Sequence, residues 1–275
     1  MTPSTTATLV RPRSHAPRPA KPAARSLPPR SRARHVAGVA TGVAVHAFFA
    51  VTVYYLYFYL RGTPPQPGHC ALAVDALLAL QFGVVHSLLL WTPMRRRLER
   101  LIAPAFYGLF FCAATCLTLL VTIQQWQVGS WALWELSGWP RTAMHGMFIG
   151  AWIGLFYTLS LNGFGYQTGF VPWWSWVRRR EPPRRIFAPR GAYRILRHPV
   201  YLSFLGLIWF TPDMTVDRAV LTGIWTLYVF VGSWLKDLRL VYFLGHTYRQ
   251  YQAEVPGYPG MPLGPLARVP HTAPS

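Results

Sequence analysis

Residues 36–60 read VAGVATGVAVHAFFAVTVYYLYFYL, an unbroken run without Asp, Glu, Lys or Arg. A helix crosses a bilayer with about twenty apolar residues, because every backbone amide must then be satisfied within the segment. Runs of similar length recur at 71–92, 104–125 and 142–161. The whole chain of 275 residues is 52% hydrophobic and only 13% charged, outside the range of an ordinary soluble domain. The expected fold is all-α: a polytopic integral membrane protein with about six membrane helices.

Charge gives the orientation. Lys and Arg outnumber Asp and Glu by 27 to 8, and the cations lie between apolar segments rather than on one folded face. A membrane surface therefore explains the excess better than nucleic acid does, and no nucleic-acid partner is expected. Residues 1–35 hold eight Arg and Lys among Pro, Ala and Ser with no acid, the composition of a disordered tail. The connection at 62–70 has no charged residue, whereas 95–100 reads RRRLER and 178–185 reads RRREPPRR. The excess of cations puts the N-terminal tail, 93–103 and 162–198 in the cytoplasm, and both termini with them.

The last apolar part is shorter. Residues 199–211 form one arm, TPDMT at 211–215 a turn, and 217–235 a returning arm. This predicts a helical hairpin with both ends on the cytoplasmic side, so that His198 and Asp237 come close together. Residues 244–256 read as a short interfacial helix stopped by Pro256, with Tyr248, Tyr251 and the stem of Arg249 in the headgroup layer. The domain division is a basic tail at 1–35, a membrane domain at 36–262 and an irregular tail at 263–275. Within the membrane domain, four helices occupy 36–161, a cytoplasmic loop 162–198, and the hairpin region 199–262.

Chemistry-bearing residues collect where the hairpin begins. Pro199 suits the first position of a helix, where its missing N–H has no partner to lose, which places His198 at the N-cap. Arg194 and Arg197 add two permanent charges beside the free N–H groups of the helix, an anion pocket at the membrane edge. Plain interfacial anchoring by these cations and Tyr201 is the competing reading. Cys70, Cys112 and Cys116 have neither disulfide nor zinc spacing, and Cys112 and Cys116 share a helix face as packing residues. Asp75 is functional if it lies deep in the membrane and unremarkable if it lies near the outer surface.

Three stretches carry a family resemblance. GAYRILRHPVYLSFL (191–205) and GHTYRQYQAEVPGYPG (245–260) resemble motifs of the isoprenylcysteine carboxyl methyltransferase family, membrane enzymes that use S-adenosylmethionine. VVHSLLL (84–90), followed by a basic loop, is similar to the methanethiol S-methyltransferase and NnrU-like branch. The resemblance implies an S-adenosylmethionine-dependent methyltransferase acting on a small thiol or lipophilic acceptor. With Arg194 also among the cofactor-binding residues, it implies that Arg197, His198 and the helix N-terminus hold the cofactor's carboxylate, that Asp237 holds its ammonium, and that Tyr201 and Tyr248 flank its adenine or sulfonium. His86 and Ser87 then line the acceptor cavity, and Arg249 favours the ionised acceptor as the catalytic cation.

The chain departs from that pattern at a few positions. Lys236 and Asp237 stand where the family has two adjacent glutamates, Ser203 where Gly is common, and Val85 where Gln precedes the histidine. Lys236 supports the alternative of a non-catalytic membrane protein of the same fold that binds a partner or lipid. A haem-binding protein, with His46 and His86 as ligands at similar depth, is the remaining alternative.

Overall fold

A computed structural model describes residues 31–62, 71–129, 131–184 and 186–269. Most of the expected N-terminal tail, residues 63–70 of the 62–70 connection with Cys70, and the last six residues lie outside that range. The fold is all-α and polytopic, with two short strands. The elements in order are α1 (Arg32–Arg61), α2 (Leu72–Leu90), α3 (Thr92–Leu98), α4 (Pro104–Gln125), β1 (Ala132–Glu135), α5 (Gly138–Leu161), α6 (Phe164–Gln167) and α7 (Phe170–Val177). After a 3-10 turn at Gly191–Arg194 come α8 (Pro199–Trp209), β2 (Asp213–Thr215), α9 (Val216–Leu244) and α10 (His246–Glu254). Among the described residues, α1, α2, α4, α5 and α9 are long and apolar enough to cross a membrane, and α8 is a shorter apolar helix.

The helices close into a ring. α4 packs on α1 and α2, α2 on α9, α9 on α8, and α8 on α5. Tyr57 of α1 completes the circle by meeting Phe148 and Trp152 of α5 at ring-centroid distances of 5.6 and 5.9 Å. The buried centre is apolar, with Leu56 and Leu60, Ala79, Phe148 and Leu155, Leu207 and Ile208, and Leu221 and Trp225 in one cluster. Small residues set the close approaches, as is usual between membrane helices. A Cβ on Gly206 of α8 would lie 2.9 Å from the Cβ of Ala151 on α5.

The hairpin differs in detail from a plain turn between two helices. Its first arm has 11 residues, about 16 Å at about 1.5 Å per residue, against 29 residues in the returning arm. Residues 210–215 supply the missing length as non-helical chain, and the expected turn becomes β2, paired antiparallel with β1. Buried acids fasten this end. Asp217 accepts hydrogen bonds from Trp126 Nε1 at 2.9 Å and the Gly129 amide at 3.1 Å, and Asp75 accepts from the Gln127 amide at 3.0 Å. Arg141 makes a two-pronged contact with Asp213 at 2.8 Å for each bond, and Arg218 donates to the carbonyls of Tyr59 and Leu60. Asp75 thus has a local structural partner at the end of the bundle away from the basic loops.

The segment 162–198 is not simply a loop. It forms α6 and α7, and α7 packs against α1 and α4. Two indoles fill the notches left by two glycines one turn apart on α1: a Cβ on Gly42 would lie 1.9 Å from Trp173 Cε2 and one on Gly38 2.3 Å from Trp176 Cη2, and the Trp173 indole N–H donates to the Gly38 carbonyl at 2.9 Å. Gly169 at the start of α7 has φ +78° and touches the Gly108 backbone of α4, where a side chain on either residue would collide. Burial of Trp173 and the packing of Trp176 against Gly38 and Phe106 hold α7 on the bundle, whereas Phe170 and Trp174 stay exposed.

Candidate functional site

The proline rule sets the local geometry. α8 begins at Pro199 with His198 at its N-cap. The two residues before the helix pair with the chain that follows α10: Arg197 N donates to Pro256 O at 2.9 Å, and His198 N donates to Gly257 O at 3.3 Å. Gly257 is needed for this contact, since a Cβ there would lie 2.5 Å from Leu266 O and 3.3 Å from Arg197 Nη2. α9 brings Asp237 to the same place from the returning arm.

Four of the expected residues converge there. The Arg197 and His198 side chains are wholly buried, and that of Asp237 is 2% exposed. Arg197 Nη2 lies 3.3 Å from Asp237 Oδ2, and His198 Nε2 lies 3.2 Å from Oδ1. Tyr248 of α10 donates its hydroxyl to the same Oδ1. Arg197 also donates to the carbonyls of Gln252 at 3.2 Å and Ala267 at 3.1 Å. The ion contacts are close but poorly aligned. Arg197 Nε, both ring nitrogens of His198 and Asp237 Oδ2 have no hydrogen-bond partner among the described residues.

Burial dominates the protonation states. It holds His198 below the usual imidazole range against the opposing pull of Asp237, so the ring is neutral near pH 7. Burial and the Asp237 carboxylate raise the Tyr248 phenol far above its ordinary value, which keeps it a donor. Such unpaired polar atoms are costly in a buried site unless a ligand completes them.

The other expected residues are placed differently. Tyr201 is half-buried, its ring 5.6 Å from that of His198 and 5.1 Å from Lys236 Nζ, so Lys236 lies over an aromatic face. Arg194 is exposed and turns to Pro189 O at 3.5 Å, and Arg249 is exposed on the outer side of α10. Tyr248 and Tyr251 are buried instead of lying in the headgroup layer; Phe187 packs 5.5 and 5.4 Å from their rings. α10 is therefore a wall of the site. His86 and Ser87 form a separate centre with Tyr228: His86 Nδ1 and the Tyr228 hydroxyl are 2.7 Å apart, and Ser87 donates to that hydroxyl at 3.4 Å.

Local sequence does not reveal several partners. Gln252, Ala267, Gly257 and Tyr258 close the site through carbonyls or packing, and carbonyl acceptors have no side-chain signature. Tyr258, whose ring is 5.6 Å from His198, lies within the quoted VPGYPG ending, the one signal that would have found it. The paired-histidine arrangement for haem finds no support in the packing: the His46 ring meets Phe170 and Trp173, whereas His86 meets Phe82, Phe111 and Tyr228.

Comparison with known proteins agrees with the motifs. Methanethiol S-methyltransferase of a Pseudomonas species is 28% identical over 234 residues, covering 80% of this chain and 88% of that protein. Its counterpart in Pseudomonas deceptionensis is 29% identical over 205 residues, 73% of this chain and 75% of that one. Nurim of Xenopus laevis is 26% identical over 170 residues, 58% of this chain and 59% of its own. No family model matches, and no solved structure is similar.

Proposed function

We infer that the protein is an integral membrane methyltransferase that binds S-adenosylmethionine at Arg197, His198, Asp237 and Tyr248 and methylates a small thiol or lipophilic acceptor. The likeness to methanethiol S-methyltransferases over most of the chain supports the reaction class. The observation that carries the site is the set of buried polar atoms without partners on Arg197, His198 and Asp237. Their chemistry fits an amino-acid zwitterion: Arg197 suits a carboxylate, Asp237 an ammonium, and the aromatic faces of Tyr201 and Tyr258 a flat or cationic group. Bound there, S-adenosylmethionine supplies an electrophilic methyl group. The protein's part is to hold the donor still, exclude water behind α10 and the 255–269 segment, and present the acceptor in line. The basic end of the bundle, with the site, faces the cytoplasm on the distribution of cations.

The test is binding by purified protein in detergent. S-adenosylmethionine should bind in calorimetry, and His198→Ala should weaken it by at least about tenfold, the value of one buried polar contact. No heat of binding at millimolar cofactor would overturn the assignment. Lys236→Glu places a second carboxylate beside Asp237 and should tighten cofactor binding several-fold; an unchanged affinity would mean that position 236 does not face the ammonium.

A further inference from the structure

The polar atoms assigned to the donor are closed off from solvent. The side chains of Arg197 and His198 are wholly buried and that of Asp237 is 2% exposed, so a ligand the size of a nucleoside reaches them only if part of the enclosure moves. Four elements form that enclosure. α8 and α9 share the apolar core of the bundle, and α10 is held by Tyr248 on Asp237 and by Tyr251 on the Tyr193 carbonyl. The fourth, residues 255–269, has no regular secondary structure. Its first part is firmly seated: the Arg197 and His198 amides donate to Pro256 and Gly257, and the Tyr258 hydroxyl bonds to Ser233 of α9.

The outer part is held more lightly. Among the described residues, three hydrogen bonds tie 260–269 to the rest of the molecule. Gly257 N donates to Leu266 O at 2.8 Å, Arg197 Nη2 to Ala267 O at 3.1 Å, and Val269 N to Gln252 O at 3.1 Å. Leu266 and Ala267 are the buried residues of this stretch, whereas 262–265 are exposed. Gly260 and Gly264 have φ of +71° and +92°, and a Cβ on either would meet no atom within 4 Å. Glycine is used there for backbone rotation and not for close packing. Such positions, next to an exposed stretch, absorb the dihedral change of a hinge.

We propose that residues 260–269 are a hinged limb that swings away from Arg197 to admit S-adenosylmethionine and closes again behind it. The proposal rests on the methyltransferase reading and deepens it. The bond from Arg197 to the Ala267 carbonyl is the latch. A guanidinium bonds a carboxylate more strongly than a neutral carbonyl, so the ligand's carboxylate takes over Nη2 as Ala267 O leaves. The bonds from Gly257 and Val269 are backbone pairs and re-form on closing. Opening the limb uncovers two buried residues, whereas moving α8 or α9 would break the core they share.

The test uses the full chain in detergent. In hydrogen exchange, the Gly257 and Val269 amides should exchange at least about tenfold faster than those of 221–233 in α9, because the limb opens without the bundle. Equal protection would make the limb a fixed wall and overturn the proposal. Uptake of labelled S-adenosylmethionine, followed by rapid filtration, should approach a limiting rate as its concentration rises, since opening comes first. A rate that climbs in proportion throughout would also overturn it. Gly264→Ala strains the closed limb without touching the site. It should speed association and dissociation alike by about fivefold, the weight of one non-glycine residue at positive φ, and leave Kd within about twofold. Unmoved rates would count against the hinge, as would a weaker Kd with unchanged association, the mark of a merely structural segment. A wild type that takes up no cofactor would remove the methyltransferase reading and the limb's role with it. Binding at rates indifferent to Gly264→Ala would remove the limb alone.

Discussion

Replacing Asp237 with Ala is expected both to abolish S-adenosylmethionine binding and to lower stability by about 3–5 kcal/mol, the usual cost of stranding a buried charge. Arg197 is buried with its guanidinium against this carboxylate, and its remaining acceptors are neutral carbonyls of Gln252 and Ala267. Removing the acid leaves the cation in a dry site with half its compensation. Tyr248 loses its acceptor at the same time, so α10 loosens as well. Thermal unfolding in detergent, followed with and without cofactor, separates the two effects. The double variant Arg197→Met, Asp237→Leu should regain most of the melting temperature, since an apolar pair of similar volume avoids the desolvation penalty. It should regain none of the cofactor binding. A single variant that melts like the wild type would show that Arg197 finds other compensation, and a double variant that still binds would remove the pair from the site.

Gly42→Leu is expected to have the second largest effect. The added side chain would occupy the place of the Trp173 ring, because even a Cβ there lies 1.9 Å from Cε2. A six-membered ring in a closed notch has nowhere to turn, and α7 must leave the groove between α1 and α4. The loss resembles truncation of a buried Trp, about 3–5 kcal/mol. Tryptophan emission should shift to the red, and protease should cut the exposed 178–184 segment faster, since its start is anchored by α7. Cofactor affinity should fall less, through Phe187, which lies further along the same segment and packs on Tyr248 and Tyr251. Unchanged emission and proteolysis would mean that α7 does not dock on α1.

The sequence showed the helices more clearly than it showed their neighbours. The runs at 36–60, 71–92, 104–125 and 142–161 match α1, α2, α4 and α5 to within a few residues at most ends, since hydrophobic length against bilayer thickness is a one-dimensional property. α9 runs past the apolar arm at 217–235 to Leu244, because Lys236, Asp237 and Arg239 interrupt the apolar pattern while keeping helical propensity. α7 was hidden for the opposite reason. Its eight residues are too few to cross a membrane, and Pro172 and the flanking glycines read as loop punctuation; only the notch on α1 turns them into a packed helix.

At the site, sequence alone marked the place, through a His-Pro step that must sit at a helix start and a hairpin that must return an acid to it. Those are local rules: proline lacks an N–H, and a chain that enters an apolar layer has to leave it. Which cations face inward was decided only by the tertiary structure. Arg194, Arg197 and Arg249 are alike in sequence, yet Arg197 alone is fixed, by backbone pairing with Pro256 and by carbonyls up to 70 residues away, while the other two turn to the surface. Tyr228 joined His86 in the same way, across 142 residues. Contacts of that range depend on helix rotation and register, which are set by how the apolar faces fit together and not by any residue's own preference.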